Sequence, residues 1–307
     1  MMDYKKIIRS RVLRGRILNA LHFIPDKSML RIQYWIKTGR RLNLKKPERF
    51  TEKLQWYKLY YKNELMPQCV NKYRVREYVE LCGLEPILNE LYGVYDRPED
   101  IPFEVLPDKF VLKDTLGGGS TSVIVVKNKS ELDITETVAT MKKWVCRNTE
   151  IRTGGREWPY MHQTPQIVVE KYLEQENGDL VDYKLFCFDG KARYIYVRAG
   201  YAMDHDKGQM AFFDRDLNYL RGVGMDYCAI AEEKPQIDET VLRKMIGIAD
   251  RLSNAFPHVR VDLYEVNKQI FFGELTFFNA SGYMRFEPDA FDYELGKEFI
   301  LPEEKND

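Results

Sequence analysis

The stretch RVDLYEVNKQIFFGELTFFNASG, Arg260 to Gly282, reads as two apolar strands about a short polar turn, yet each strand carries a carboxylate. Asp262 sits in Val-Asp-Leu and Glu274 in Gly-Glu-Leu-Thr-Phe-Phe. A buried carboxylate is costly unless it is paired or coordinates a metal. With Asn267-Lys268-Gln269 as the turn, Val266 pairs with Ile270 and Asp262 falls opposite Glu274. A slip of one residue still leaves the two acids neighbours, about 5 Å apart. Like charges so placed repel unless a divalent cation bridges them or one is protonated. Magnesium suits such a pair, because it takes one or two carboxylates and completes its octahedron with phosphate oxygens and water. Asn279 offers a further amide oxygen just beyond the hairpin. Arg260 shares a strand face with Asp262 and suits a phosphate or a developing oxyanion. The competing reading is a salt-bridge cluster of Arg260 with the two acids.

A second candidate is the glycine loop in FVLKDTLGGGSTSVIVVK. Gly117, Gly118 and Gly119 let backbone N–H groups turn toward an anion, and Ser120, Thr121 and Ser122 add hydroxyls. No Gly-Lys-Ser/Thr opens a helix here, and a strand follows the loop, which excludes a Walker loop and a dinucleotide fingerprint. A glycine loop between two strands reads as a flap over phosphates, with Lys113 at the end of the first strand as a point charge. An ordinary glycine-rich hairpin is the plain alternative. Further on, Glu170 ends the apolar run Ile167-Val168-Val169, so a strand leaving the core there offers backbone groups to an adenine edge. Asp182 and Lys184 lie two apart in VDYKLFCF and share one strand face. They suit ribose hydroxyls and phosphate, or equally a surface ion pair.

The elements that position these residues follow from periodicity. Residues 1–46 form a basic helical extension broken at Pro25, with a second helical stretch in SMLRIQYWIKTGRR. Residues 47–105 form a helical region: FTEKLQWYKLYYK opens with Thr51 as N-cap, VNKYRVREYVELCG closes on Gly83, and residues 84–106 read as linker with short strands. Residues 106–173 hold the glycine hairpin, a capped helix starting at Ser130 (SELDITETVATMKKWVC), a polar loop and the strand QIVVEKYL. Residues 174–307 hold a hairpin turning at Asp189-Gly190, the helix ETVLRKMIGIADRLSNAF and the Arg260–Gly282 hairpin. The order predicts an α+β fold without regular βαβ alternation.

Bulk properties narrow the class. The chain has 307 residues, five cysteines without a CxxC pair, and no apolar run long enough to span a membrane. Those features and the absence of a signal-peptide h-region suit a cytoplasmic protein with reduced thiols. The net charge of zero hides a +11 segment over residues 1–46 and −11 over the rest. A basic head on an acidic body suits an anionic surface, a membrane's inner face or a polymer, rather than nucleic acid; the bland reading is a solvated helical extension lying on its own acidic body.

The order of flap lysine, hinge and paired acids is similar to ATP-grasp ligases such as D-alanine–D-alanine ligase. More closely, FTEKLQWYKLYYK, NKYRVREYV, LPDKFVLK, REWPY, VVEKYL, DYKLFCFDGK and VRVDLYEVNKQIFFGELTF resemble the TupA-like ATP-grasp amidoligase family, from about Pro47 to Gly296. The resemblance implies two α+β subdomains sandwiching Mg-ATP, with Lys113 and Lys184 on phosphate or nucleotide. It makes Glu170, Lys171, Tyr172 and Leu173 the adenine hinge, Asp182 the ribose contact, Asp262 and Glu274 the magnesium ligands, and Lys72 an early nucleotide-side lysine. It also implies amide-bond formation through an acylphosphate, joining an amino-acid amine to a carboxylate such as a uronic acid of a surface polysaccharide or a peptide tail. Arg260 then holds the acyl oxyanion, and Arg156 steers the carboxylate or, alternatively, pairs with the helical region. Two departures stand out: Thr276 occupies a position commonly Asn, and Leu116 one that is often polar. The rival classes are a glycosyltransferase using a nucleotide sugar and a non-catalytic scaffold; bound UDP-sugar rather than ATP marks the first.

Overall fold

Two helices open the described chain, α1 (Arg11–Ala20) and α2 (Asp26–Thr38), followed by α3 (Phe50–Tyr60), α4 (Leu65–Cys69) and α5 (Val75–Leu81). The computed structural model describes residues 11–118, 122–150, 152–174, 180–199 and 208–303. Helix α2 turns Met29, Leu30, Gln33, Tyr34 and Thr38 inward and stops at Gly39, whose φ of 77° gives a left-handed cap. Thr51 is not the N-cap of α3, because the helix begins one residue earlier, with Glu52 accepting from the Arg49 N–H at 3.3 Å. The Thr51 hydroxyl is buried instead and donates to Asp292 at 2.8 Å. Helix α5 ends as expected at Gly83, φ 66°.

A small antiparallel sheet has the order β1 (Leu91–Tyr95), β4 (Ile167–Lys171), β2 (Phe110–Asp114), β3 (Val123–Val126). Strand β1 falls within the stretch expected to be linker, so this unit begins before residue 106. Period-2 apolar residues on its inner face, among them Phe110, Leu112, Ile167 and Val169, pack with Met141 of α6 (Ile134–Val145). Helix α6 starts later than Ser130: the Asp133 carboxylate caps it by accepting from the Glu136 N–H at 2.9 Å, while Ser130 lies in a preceding 3₁₀ turn capped by Asn128.

The large sheet has the order β11 (Gln269–Thr276), β10 (His258–Val266), β5 (Asp182–Phe188), β6 (Lys191–Ala199), β7 (Gln209–Asp214), β9 (Ala229–Ile230), antiparallel except for the parallel β7–β9 pair. A short ladder pairs β8 (Gly224–Met225) with β12 (Phe286–Glu287). Helix α7 (Glu239–Ser253), capped by Asp238, covers the face that carries Leu185, Cys187, Val259, Val261 and Leu263. On the opposite face the strands divide in two. Phe186, Phe188 and His258 are roofed by Phe50 of α3 and by Phe299, just after α8 (Ala290–Glu298). Farther along, alternation puts Asp182, Lys184, Arg260, Asp262 and Tyr264 on that same face.

The hairpin β10–β11 reaches the expected pairing of the acids by a different route. Asn267 and Lys268 have φ of 51° and 66°, the geometry of a two-residue turn whose twist matches the strands. Val266 therefore pairs with Gln269, not Ile270. A bulge at Gly273 then absorbs one residue and restores Asp262 opposite Glu274. Without it Gly273 would face Asp262, and Glu274 would point to the other side of the sheet.

Candidate active site

The charged half of the large sheet is tied to the small-sheet unit by Lys72, which lies between α4 and α5. Asp262 is 1% exposed and accepts from Arg260 through Nε and Nη2, both at 2.6 Å, and from Lys184 Nζ at 2.6 Å. Burial alone would raise its pKa; the two cations overcome that and hold it below the usual carboxylate range. Lys184 also meets Asp182 Oδ2 at 2.6 Å, while Asp182 Oδ1 is buried with no partner. Desolvation therefore dominates at Asp182 and pushes its pKa up despite Lys184. Arg260 reaches across to Glu274 Oε1 at 3.5 Å and Thr276 Oγ1 at 3.1 Å, and burial is overridden by these acids to keep it charged. The repulsion expected between Asp262 and Glu274 is thus relieved here by a guanidinium. Thr276 donates to Glu274 Oε1 at 3.1 Å, so the hydroxyl at the departing position is bound to the second acid.

Across the cleft, Lys113 meets Glu170 Oε2 at 2.6 Å, and Arg76 lies 4.0 Å from the same carboxylate. Lys72 bridges the halves: its N–H donates to Thr115 O at 2.8 Å, and its ammonium donates to Gly117 O and lies 3.8 Å from Glu274. Lys72, Arg76, Lys113, Glu170, Phe272 and Gly273 enclose about 10 Å³ between them, near the least that admits one water. A ligand entering there displaces these ion pairs. Lys171 is exposed and pairs with Glu90 at 3.2 Å, and Tyr172 and Leu173 follow the strand end half-buried. Of the glycine loop, Gly117 is buried and Gly118 exposed, whereas Gly119 and Ser120 lie outside the described residues.

Asn279 begins the turn Asn279–Gly282 and is 2% exposed, with both amide atoms lacking a hydrogen-bond partner. The donors expected for magnesium are hard oxygens throughout: the half-exposed Glu274, the buried Asp262, whose oxygens are taken here by Arg260 and Lys184, and the Asn279 amide. That chemistry fits the ion, which needs only one or two carboxylates beside phosphate oxygens. No group of three or more His, Cys, Asp and Glu that could hold a metal occurs among the described residues.

Arg156 departs from its expected steering role. Its guanidinium is 2% exposed and donates to Leu21 O at 2.8 Å and His22 O at 3.0 Å, with Asp26 at 3.3 Å. It anchors the polar loop to the end of α1, the alternative open from sequence. A cavity of about 430 Å³ beside it is lined instead by Arg147, Arg152, Asn148, Thr149, Glu157 and Gly118, with Asn19 of α1 as one wall. Arg147 reaches the buried Asp114, and Arg152 pairs with Asp26 at 3.2 Å. Sequence reading also passed over Lys58 on α3, which is buried and donates to Gly155 O and Ser281 O, both at 2.8 Å. Burial pulls its pKa down to about 7, although Glu157 opposes the shift. The signal was present: a lysine among aromatic residues in KLQWYKLYY.

The family model for TupA-like ATPgrasp proteins matches residues 52–300. The chain belongs to the TupA-like ATP-grasp family. The fold of this chain is α+β with an N-terminal helical region, and the matched residues take in both sheets and every strand of the cleft. Among solved structures, D-alanine–D-alanine ligase from Bacillus anthracis is similar at 18% identity, covering 68% of this chain and 57% of its own, with a TM-score of 0.43. D-Alanine-D-Alanine Ligase from Helicobacter pylori is similar at 13% identity, covering 82% and 68%, with a TM-score of 0.45. L-amino acid ligase from Bacillus licheniformis is similar at 15% identity, covering 72% and 46%, with a TM-score of 0.44. None of the curated proteins matches this chain.

Proposed function

We propose that this protein is an ATP-dependent carboxylate–amine ligase working through an acylphosphate. The observation that carries the reading is the cross-strand set Arg260, Asp262, Glu274 and Thr276, held opposite Lys72 and Lys113 across one narrow cleft. A carboxylate oxygen attacks the terminal phosphorus of ATP and ADP leaves. The amine nitrogen then attacks the acyl carbon, inorganic phosphate leaves, and the nitrogen loses a proton. Lys113 and Lys72 exchange their acids for phosphate oxygens, which places positive charge where the transferring group is most negative. Lys184 serves the nucleotide beside Asp182, and Arg260, set two residues from Asp262, holds the oxyanion that develops at the acyl carbon. Magnesium, when held by Asp262 and Glu274 with the Asn279 amide, neutralises phosphate charge.

The acceptor is proposed to be a polyhydroxylated carboxylate, such as a uronic acid of a surface polymer, with an amino acid as the amine. The cavity of about 430 Å³ supports this, since two guanidiniums, Arg147 and Arg152, line it with amide and hydroxyl side chains and outnumber the one carboxylate there, Glu157. That volume lies in the usual range of small-molecule sites, roughly 300–1,000 Å³. In this reading Arg147 and Arg152 take over the steering first assigned to Arg156. The test is to incubate the protein with ATP, magnesium and pairs of uronic acids with amino acids, then resolve the nucleotides by chromatography. ADP and phosphate in step with amide product are expected. AMP in step with product would overturn the acylphosphate route, and UDP released from a UDP-sugar would assign the protein to the glycosyltransferases.

A further inference from the structure

Helix α2 has two apolar faces, and among the described residues only one is packed. Met29, Leu30, Gln33, Tyr34 and Thr38 point inward, where Leu30 and Tyr34 meet Tyr283. The opposite stripe carries Ile32, Trp35 and Ile36, which are 46%, 62% and 37% exposed. Their i, i+3, i+4 spacing lines them along one side of the helix. The turn before α2 adds Phe23 at 69% exposure, and α1 adds Leu13 and Ile17, one helical turn apart and also exposed. The same segment carries exposed cations, Lys27 and Arg31 on α2 and Arg41 just after it. Single exposed apolar side chains are ordinary, but a stripe such as Ile32, Trp35 and Ile36 along one side of a helix marks a docking surface.

We infer that this face seats the protein on an anionic lipid bilayer surface, with the aromatic and aliphatic side chains in the interfacial layer and the cations at the headgroups. A soluble polyanion would engage the cations and leave Trp35, Ile32 and Phe23 in water, so charge alone does not account for the face. Trp beside basic residues suits the boundary where one end of the side chain is apolar and the other wet. A second copy docked face to face through this helix would bring Lys27 and Arg31 near their own counterparts, a like-charge contact. The +11 of residues 1–46 and the −11 of the remainder also set the orientation, drawing the head to an anionic sheet and turning the body away. No helix among the described residues is long and apolar enough to cross a membrane. The inference stands independently of the ligase reading. The two meet at Asn19, since the segment that would touch lipid also walls the cavity of about 430 Å³.

The experiment is co-sedimentation of the full chain with vesicles of phosphatidylcholine alone and of phosphatidylcholine with phosphatidylglycerol, over a salt series. The protein is expected to sediment only with the anionic vesicles, and the effect to fall with salt as screening shortens to ~8 Å at physiological ionic strength. Trp35→Ser with Ile32→Ser should lower vesicle affinity about tenfold or more, while binding to heparin and the circular dichroism spectrum stay unchanged. Lys27→Gln with Arg31→Gln should reduce the preference for phosphatidylglycerol. Equal sedimentation with both vesicle types, or wild-type affinity in the Trp35/Ile32 variant, would overturn the inference. So would a solution dimer that this variant converts to monomer, because the face would then belong to a second copy.

Discussion

Replacing Arg260 with Met removes the side chain that holds the two hairpin acids together, and the cost is calculable from its contacts. Asp262 would lose two bonds of 2.6 Å and retain the Lys184 bond of 2.6 Å, while Glu274 would lose its neighbour at 3.5 Å. Removing one partner of a buried ion pair costs about 3–5 kcal/mol, and the surviving lysine places this case near 3 kcal/mol. For a chain of this size that lowers Tm by roughly 4–6 °C. Adding Asp262→Asn removes the uncompensated charge, so the double variant should recover about 2 kcal/mol. The sign with pH follows from the direction of the Asp262 shift. Its folded pKa is depressed, so its contribution is present above the ordinary carboxylate pKa of about 3.9 and is lost as pH falls through the folded value. The stability gap between wild type and Arg260→Met should therefore narrow in acid. Magnesium should stabilise Arg260→Met more than wild type, because a cation then fills the place between the acids that the guanidinium holds. Urea unfolding followed by circular dichroism measures each quantity. An Arg260→Met variant within about 1 kcal/mol of wild type, or no rescue by Asp262→Asn, would refute the claim that this buried charge is balanced chiefly by Arg260.

Lys113→Ala should weaken ATP binding about tenfold with the fold retained, because a flap cation contributes to phosphate binding as a charge-assisted contact; isothermal titration showing unchanged affinity would remove the flap assignment. Gly273→Ala should cost about 1–3 kcal/mol by overpacking. A Cβ there would lie 2.9 Å from Tyr264 Cε2 and 3.0 Å from the Asp262 carbonyl oxygen. The same change should displace Glu274 and depress magnesium-dependent turnover, whereas a wild-type urea midpoint would show that the bulge tolerates a side chain.

Period-2 alternation is a local property, so the sequence alone determined which residues of β5 and of β10 share a face. The same holds for the Asp189-Gly190 turn, whose residues adopt φ of 47° and 68°, and for the stop of α5 at Gly83. Asp262, Glu274, Glu170 and Lys184 stand out in the sequence as charges inside apolar runs, because burying them needs a compensating partner. Which partner each one takes is not local. Only the fold paired Lys113 with Glu170, brought Lys72 from the helical region to Glu274, and set Arg260 between the two acids. Three further features depend on segments far apart in the chain. Strand β1 completes the small sheet by pairing with β4, Arg156 is drawn out of the cleft by carbonyls at the end of α1, and Leu30 and Tyr34 of the basic head pack on Tyr283. The hairpin shows the division most clearly. Its sequence contains both the two-residue turn and the glycine that bulges, and each alone shifts the register by one. Only their cancellation in three dimensions returns Glu274 to the face of Asp262, since a side chain in a strand has just two sides to choose from.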